Sequence, residues 1–144
     1  MSNSVIDCFR GDYFFLSNFY EIPVSYNGIT YQNSEAAFQA QKTFDENIRR
    51  EFSTLSPKAA KKKVKSMIVR SDWQQVKVGI MKEIVTNKFV QNPDLKEKLL
   101  ATGDRKLVEG NTWNDKCWGV DIRTGRGKNQ LGHILEEVRQ EFRS

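Results

Sequence analysis

Cysteine and histidine are both scarce in this sequence of 144 residues. It contains two cysteines, Cys8 and Cys117, and one histidine, His133. Two cysteines without a short-spaced motif argue against a disulfide scaffold and a structural zinc site. A single histidine argues against zinc hydrolase sites, which cluster two or three imidazoles. It leaves a serine or cysteine nucleophile with His133 as its only base, and a structural or solvated role is expected for His133 inside its helix. We therefore predict chemistry based on carboxylates and amines, with no metal ligands.

Long apolar runs are missing as well. None approaches the roughly 18 residues that suggest a membrane span. The N-terminal sequence MSNSVIDCFRGD lacks the basic-then-apolar layout of a secretory signal. The sequence therefore predicts a cytoplasmic protein with no membrane partner.

The chain does have enough apolar residues for a core and an excess of positive charge. It is 38% hydrophobic and 28% charged, which fits a single domain over residues 1–144. The net charge of +5 favours anionic partners such as nucleic acid or phosphorylated small molecules. The densest basic run, PKAAKKKVK at 57–65, is more typical of a solvated helix face than of a nucleic-acid site.

Hydrophobic periodicity and turn residues predict an α+β fold, mainly helical, with small β-hairpin elements. Asn27-Gly28 predicts a hairpin within Ser25–Tyr31, because this pair tolerates positive φ angles. Ser71 and Gln74 predict a capping box for a long helix. The predicted helices are Ser34 to Phe44, Glu46 to Thr54, a basic helix opened by Ser56-Pro57, a helix ending near Val90, one opened by Asn92-Pro93, and Asn129 to Arg143.

The first predicted helix is divided into two unlike sides. At about 100° per residue, the alanines of SEAAFQAQK fall on one side, and Glu35, Gln39 and Lys42 fall on the other. Glu35 and Lys42 are two turns apart, about 10 Å along the axis, so both side chains can bend toward one ligand. The polar side is either an ordinary solvated face, with Glu35 favourable beside the helix dipole, or the wall of a reaction site.

Two further segments combine aromatic and polar residues. FFLSNFY places Ser17 and Asn18 between rings, which suits either a pocket for a planar base or a turn inside an aromatic core. NTWNDKCWGVD collects Asp115, Trp118 and Asp121 in one loop, which is either functional or a turn whose aspartates bond their own backbone.

A glycine-rich turn precedes the last helix. In TGRGKNQLG, Arg126 and Lys128 come before a helix start at Asn129. Backbone amides and two cations at such a start suit a phosphate. A simple glycine turn with Asn129 as helix cap fits the same residues.

Taken in order, the segments LSNFY, SEAAFQAQK, SDWQ, NKFVQNPDLKEKLLATGD, KLVEGN, DKCWGVD and GKNQLGHILEEVR resemble the NADAR or YbiA-like N-glycosidase family along nearly the whole chain. Members cleave the bond between a nitrogen and the anomeric carbon of a ribose. The resemblance implies a nucleotide-like substrate containing ADP-ribose or ribose 5-phosphate. Examples are ADP-ribose attached to guanine in nucleic acid and ribosylamino-pyrimidine intermediates of riboflavin synthesis. No cofactor is implied.

The resemblance also implies site residues. Glu35 corresponds to the family's active-site glutamate and Lys42 to its lysine. Other matching positions are Ser17, Asn18, Phe19, Trp73, Asp121 and Asn129. Many members carry a histidine directly after the glutamate, where this chain has Ala36.

Two mechanisms follow from the resemblance. In the first, Lys42, with a pKa depressed by burial or neighbouring cations, forms a Schiff base with ribose while Glu35 moves protons. In the second, Glu35 and Asp121 act as a carboxylate pair and Lys42 only binds substrate. Aromatic residues would stack the base, and the turn of Arg126 and Lys128 would hold phosphate. A non-catalytic module that binds ADP-ribose or a nucleotide is the alternative function.

Overall fold

The computed structural model describes residues 4–144. The chain divides into two compact units, one formed by Asn18–Asn92 and the other by residues 4–17 with Pro93–Ser144. The predicted α+β class, mainly helical with small β elements, is confirmed. That residues 1–144 form a single domain stays a prediction.

A β-hairpin opens the first unit. Strand β1, Glu21–Tyr26, pairs antiparallel with β2, Ile29–Asn33. Asn27 and Gly28 connect the strands with φ angles of 50° and 84°, the positive values that a tight hairpin turn requires. The predicted hairpin is therefore confirmed.

Four α-helices follow in this unit, and side chains cap three of them. Asn33 Oδ1 accepts the Ala36 N–H at 2.7 Å, and Ser56 Oγ accepts the Ala59 N–H at 3.2 Å, as the sequence predicts for Ser56. Asp45 caps the helix between them. The helices are α1 Ser34–Ala40, α2 Glu46–Glu51, α3 Pro57–Lys63 and α4 Trp73–Gln91, with 3₁₀ turns at Phe52–Thr54 and Val64–Ser66.

Helix α1 is shorter than predicted and has no solvated side. It ends at Ala40 rather than Phe44, and all seven of its residues are buried. The chain then turns, because the Gln41 N–H donates to the Phe38 carbonyl at 3.1 Å and the Lys42 N–H to the Gln39 carbonyl at 3.2 Å. Lys42 therefore lies beyond the helix, and the estimate of two helical turns between Glu35 and Lys42 is wrong.

The capping box predicted for α4 is also wrong. The residue preceding α4 is Asp72, which makes no side-chain cap. Its carboxylate is bound to Arg70 instead, at 2.6 Å and 2.9 Å. A charge-assisted pair of bonds to a guanidinium is stronger than a bond to one backbone N–H, so Asp72 binds Arg70 and does not cap α4. Ser71, the predicted cap, lies one residue before the capping position.

The buried face of α4 contains a lysine that the periodicity did not indicate. Lys88 is 1% exposed, while the predicted stripe positions Val76 and Ile80 are only half-buried. Burial removes the Lys88 ammonium from water and lowers its pKa to about 7. The buried residues of α4 are Trp73, Met81, Ile84, Val85, Lys88 and Phe89.

The second unit is built on two helices and short strands. Helix α5, Pro93–Ala101, and helix α6, Gln130–Arg143, contact each other. Strand β3, Gly110–Asn111, pairs in parallel with β4, Val120–Asp121. The predicted apolar face of α6 is buried from Leu131 to Val138. A 3₁₀ helix covers Gly11–Leu16.

His133 is exposed in this unit, and the two cysteines are half-buried. The His133 side chain is 57% exposed and lies 3.8 Å from a Glu136 oxygen, which confirms the solvated role. Cys8 and Cys117 are free thiols. Between residues 4 and 144 the structure contains no helix with the length and apolar composition to cross a membrane.

Candidate active site

Glu35 lies in the first turn of α1 and is nearly covered by protein. It is 8% exposed, and its backbone N–H donates to the Asn18 carbonyl at 3.1 Å. Its carboxylate accepts a hydrogen bond from Gln39 Nε2 at 2.6 Å. The positive end of the helix dipole favours a carboxylate at this position. Glu35 is therefore a buried acid with a fixed backbone and one neutral amide bound to it.

Gln39 is the partner of Glu35 in this hydrogen bond. The sequence placed Gln39 on the same side of the helix as Glu35 but assigned it no role. It is 7% exposed and lies one turn after Glu35, where side chains four apart meet. Its Oε1 is buried and has no hydrogen-bond partner within residues 4–144. A buried acceptor left without a donor costs about 1–3 kcal/mol of folding free energy, so this oxygen requires an explanation.

Lys42 is half-buried in the turn after α1. Its Nζ lies 5.7 Å from the centre of the Trp73 ring. Burial lowers the pKa of the amine, the Glu35 carboxylate opposes that shift, and the charges of Lys77 and Lys61 reinforce it. The net lowering, by the causes expected from the sequence, increases the fraction of neutral and therefore nucleophilic amine at neutral pH.

The turn that carries Lys42 is fixed by a distant arginine. The Arg70 N–H donates to the Lys42 carbonyl at 2.8 Å, and the Arg70 guanidinium reaches the Gln41 carbonyl at 3.4 Å. That guanidinium is held by Asp72 and lies 4.1 Å from the centre of the Phe44 ring. The position of the amine thus depends on contacts that are remote in sequence.

Two aromatic residues predicted to bind substrate differ in their accessibility. Trp73 is 7% exposed and packs on Phe38, with ring centres 5.0 Å apart. Phe19 is 37% exposed, and Lys61 Nζ lies 5.6 Å from its ring centre. Phe19 is therefore the ring open to a base, whereas Trp73 shapes the surroundings of Lys42. Stacking of a base on either ring stays a prediction.

Asn18 is tied to the same unit by both its backbone and its side chain. Its carbonyl accepts the Glu35 N–H, and its Nδ2 donates to Met81 Sδ at 3.4 Å. Asn18 therefore supports Glu35 directly. Five of the predicted site residues belong to the unit Asn18–Asn92, namely Asn18, Phe19, Glu35, Lys42 and Trp73.

The remaining predicted residues belong to the other unit, and its aspartates bind their own loops. Asp115 Oδ1 accepts the N–H groups of Cys117 and Trp118 at 3.1 Å and 3.0 Å. Asp121 Oδ1 accepts the Arg123 N–H at 2.9 Å, and the hydrogen bonds from Arg123 lower the pKa of Asp121. These contacts match the turn interpretation, and a catalytic role for Asp121 stays a prediction. The predicted residues of this unit are Ser17, Asp115, Trp118, Asp121, Arg126 and Asn129.

The backbone amides at the start of α6 are already occupied. The Gln130 N–H donates to the Cys117 carbonyl at 3.2 Å and the Leu131 N–H to the Trp118 carbonyl at 2.9 Å. Asn129 has a left-handed φ of 52° and makes no side-chain cap. Its Oδ1 accepts the Glu109 N–H at 3.0 Å instead. These amides are not available to a phosphate, so the expected contribution of Arg126 rests on its exposed side chain alone.

The whole chain was compared with known proteins. Residues 8–143 match the NADAR domain. The chain belongs to the NADAR domain family. N-glycosidase YbiA of Escherichia coli (strain K12) is 39% identical over 147 residues, which cover 99% of this chain and 91% of that protein.

A riboflavin-related protein and a solved structure are also similar to this NADAR domain. Riboflavin biosynthesis protein VVA0006 of Vibrio vulnificus is 37% identical over 131 residues, covering 89% of this chain and 35% of that protein. The NMR structure of the E. coli protein YbiA has a TM-score of 0.88 at 38% identity, covering 99% of this chain and 87% of that one. The fold of this NADAR domain is thus the YbiA fold.

These similarities confirm the predicted class of activity. The chain is a hydrolase that acts on N-glycosyl compounds. The nitrogen base, the sugar and the residues that react with them belong to the proposal that follows.

Proposed function

We propose that this chain hydrolyses the bond between a nitrogen and the anomeric carbon of a ribose, with Lys42 as nucleophile and Glu35 as proton carrier. The observation that carries the proposal is the amine of Lys42, whose pKa is lowered by burial and by two neighbouring lysines. A binding module for ADP-ribose has no use for a half-buried amine with a lowered pKa that interacts with a buried carboxyl group. An N-glycosidase needs such an amine, because a neutral amine attacks carbon and an ammonium does not.

The proposed steps conserve atoms and charge. Lys42 Nζ attacks C1′ of the ribose, and the bond from C1′ to the base nitrogen breaks with its electron pair on that nitrogen. Glu35 gives its proton to the departing base. One Nζ proton passes to O4′ as the bond from C1′ to O4′ breaks, so the ribose ring opens to a protonated Schiff base on Lys42. Water then adds to C1′ and passes a proton to Glu35. The hydroxyl proton on C1′ passes to Nζ as the bond from C1′ to Nζ breaks, which releases the amine of Lys42 and leaves the ribose unit as an aldehyde.

We propose ADP-ribose attached to guanine in nucleic acid as the first substrate. The net charge of +5 supports it, because a strand of phosphates is attracted to a basic protein. The lysines of α3 support it further, since Lys58, Lys61 and Lys62 are exposed and Lys61 lies against the accessible ring of Phe19. Similarity to the riboflavin biosynthesis protein VVA0006 supports a ribosylamino-pyrimidine as the second candidate.

The test is a borohydride trap. The protein is incubated with an oligonucleotide that carries ADP-ribosylated guanine, borohydride is added, and peptides are analysed by mass spectrometry. We expect released, unmodified oligonucleotide and a reduced ribosyl adduct on Lys42. Release without an adduct would favour the carboxylate pair of Glu35 and Asp121. Binding without release would favour the non-catalytic module.

Matched variants make this trap specific. Lys58→Arg replaces an exposed lysine of α3 and should keep both release and adduct. Lys42→Arg keeps the charge but should remove the adduct. Glu35→Gln keeps the size of the side chain and should lower kcat by about 10²–10⁴-fold, the usual contribution of a general acid–base residue. Wild-type turnover in Glu35→Gln would refute the proposed role of Glu35.

A further inference from the structure

Gln39 and Gln41 are buried amides at the end of one short helix, but they are anchored differently. Gln41 Nε2 donates to the Ala37 carbonyl at 2.9 Å and to the Tyr31 hydroxyl at 3.4 Å. Gln39 Nε2 donates to Glu35 Oε2 at 2.6 Å, and its Oε1 has no partner among residues 4–144. Within the described chain, Glu35 is therefore the one hydrogen-bond partner of the Gln39 amide.

A carboxamide offers a donor and an acceptor on the same group. With its N–H toward Glu35, Gln39 binds the ionised carboxylate. After half a rotation about its Cγ–Cδ bond, its carbonyl oxygen faces the same carboxyl group and accepts the proton of neutral Glu35. Each orientation makes one hydrogen bond and leaves one buried atom of the amide without a partner. A second anchor at Oε1 would hold the donor toward Glu35 and would favour the ionised form alone.

We propose that Gln39 is a positioning residue whose amide turns with the proton of Glu35, so that the carboxyl group keeps its place while it loses and regains that proton. The inference rests on the proposed function, in which Glu35 gives a proton to the base and later takes one from water. Catalytic groups act within narrow limits of position. An amide that binds both protonation states of Glu35 meets this requirement. The Gln39 amide can rotate because its buried Oε1 is not held by a hydrogen bond.

The charged groups near Glu35 explain why a neutral amide is a suitable partner for its carboxyl group. Lys42 interacts electrostatically with Glu35, and Lys61 of α3 and Lys77 of α4 act on Lys42. From the hairpin, the Tyr31 hydroxyl accepts a hydrogen bond from Gln41 Nε2. The charge of Lys42 favours the ionised carboxylate, whereas Glu35 must be protonated to help the base leave. A fixed N–H donor would favour the ionised form of Glu35 further, whereas an amide that rotates would not.

The test compares pH profiles of cleavage of the ADP-ribosylated oligonucleotide by the wild type, Gln39→Met and Gln41→Met. Methionine matches the length of glutamine without its polar atoms. We expect Gln39→Met to lower kcat about 10- to 100-fold, within the range of proton-transfer effects, with KM nearly unchanged. The apparent pKa that reports Glu35 should move by less than about 0.3, because the amide supports both states.

Gln41→Met is the control for burial of an amide at the same helix end. It should reduce stability and leave kcat and the pH profile unchanged. A rise of about one unit or more in the Glu35 pKa of Gln39→Met would show a fixed donor and overturn the proposal. Equal kcat values in the two variants would overturn it as well.

A measurement on the wild type covers the case in which Gln39→Met fails to fold. The side-chain ¹⁵N resonance of Gln39 should move to the position of an amide without an acceptor as Glu35 becomes protonated, and this movement should be missing in Glu35→Gln. A Gln39 side-chain ¹⁵N chemical shift that does not change with pH would refute the rotation of the amide. Wild-type activity in Glu35→Gln would instead refute the proposed function, so the two failures are distinguishable.

Discussion

Replacement of Lys88 by methionine should stabilise this protein at neutral pH. Lys88 is 1% exposed, and burial lowers its pKa to about 7. In the unfolded chain a lysine keeps a pKa near 10.4. Folding at pH 6 therefore places a protonated amine in a dry site, which by linkage costs about 5 kcal/mol. Methionine has a similar length and no charge, so Lys88→Met removes that cost and keeps most of the packing.

The sign of the pH dependence follows from the same shift. The folded pKa of Lys88 is lowered, so between pH 7 and 10 the unfolded chain binds more protons than the folded chain, and wild-type stability rises with pH. The remaining cost falls to about 1.5 kcal/mol at pH 9.5. The advantage of Lys88→Met should thus shrink by about 3 kcal/mol between pH 6 and pH 9.5. Favourable contacts of the ammonium with the rings of Tyr20 and Phe89, at 5.8 Å and 5.4 Å, reduce the advantage at every pH below 7.

The assay is urea denaturation of both proteins at pH 6, 7, 8.5 and 9.5. The series stops below pH 10 because burial and Glu83 raise the pKa of Tyr26, so stability is lost once unfolded tyrosines ionise. Both proteins share that tyrosine, and the difference between them isolates Lys88. A constant difference across the series, or a wild type that is more stable at every pH, would refute the reasoning.

Further changes test the site and its support. Lys42→Arg should lower kcat by about 10³-fold or more, since arginine cannot form a Schiff base; near-normal turnover would reject Lys42 as nucleophile. Wild-type kcat should rise with pH through a pKa below the ordinary lysine value, because burial lowers that of Lys42. Asp121→Asn keeps an acceptor for the Arg123 N–H and should retain most activity, whereas a loss as large as that of Glu35→Gln would support the carboxylate pair. Asn33→Ala removes the cap of α1 and should cost about 2 kcal/mol in urea denaturation, against about 1 kcal/mol for Ser56→Ala at the exposed cap of α3.

Local chemistry explains which parts of the fold were predictable. The Asn27-Gly28 turn, the Ser56 cap and the apolar stripe of α6 each depend on residues a few positions apart. A local conformation that is stabilised by neighbouring residues forms in the folded protein unless tertiary contacts oppose it. These features could therefore be predicted from the sequence.

Long-range contacts explain why the predicted end of α1 and the predicted capping box of α4 were wrong. The helical pattern continues to Phe44, but Arg70 binds the carbonyls of Gln41 and Lys42 and ends α1 at Ala40. Helix α4 begins one residue later than the predicted box of Ser71 and Gln74 requires, and Asp72, which precedes the helix, binds the same arginine. Helix propensity contributes tenths of a kcal/mol per residue, so tertiary bonds of this kind decide where a helix ends.

For the candidate site, the sequence selected residues, and the structure adds the geometry of those residues. Glu35 and Lys42 were selected by type, spacing and resemblance, and the structure places them in one unit with their charges interacting. Gln39 was visible on the same side as Glu35, yet nothing in the sequence shows that its Oε1 lacks a partner. The contacts of Asp115 and Asp121 with their own backbone were an open alternative that only the structure could test.

The Arg70 contacts give this protein a second class of inactivating substitutions. Changes at Phe44, Arg70 or Asp72 would displace the turn that carries Lys42 without altering any group that reacts. In a random library they would appear beside Glu35 and Lys42 as inactive clones. An added primary amine would separate Lys42 variants from this second class, since small amines replace a missing lysine side chain but do not rebuild a displaced turn. By this reasoning, activity depends on the segment 70–72 as well as on the turn at 42–44, although no residue of 70–72 takes part in the reaction.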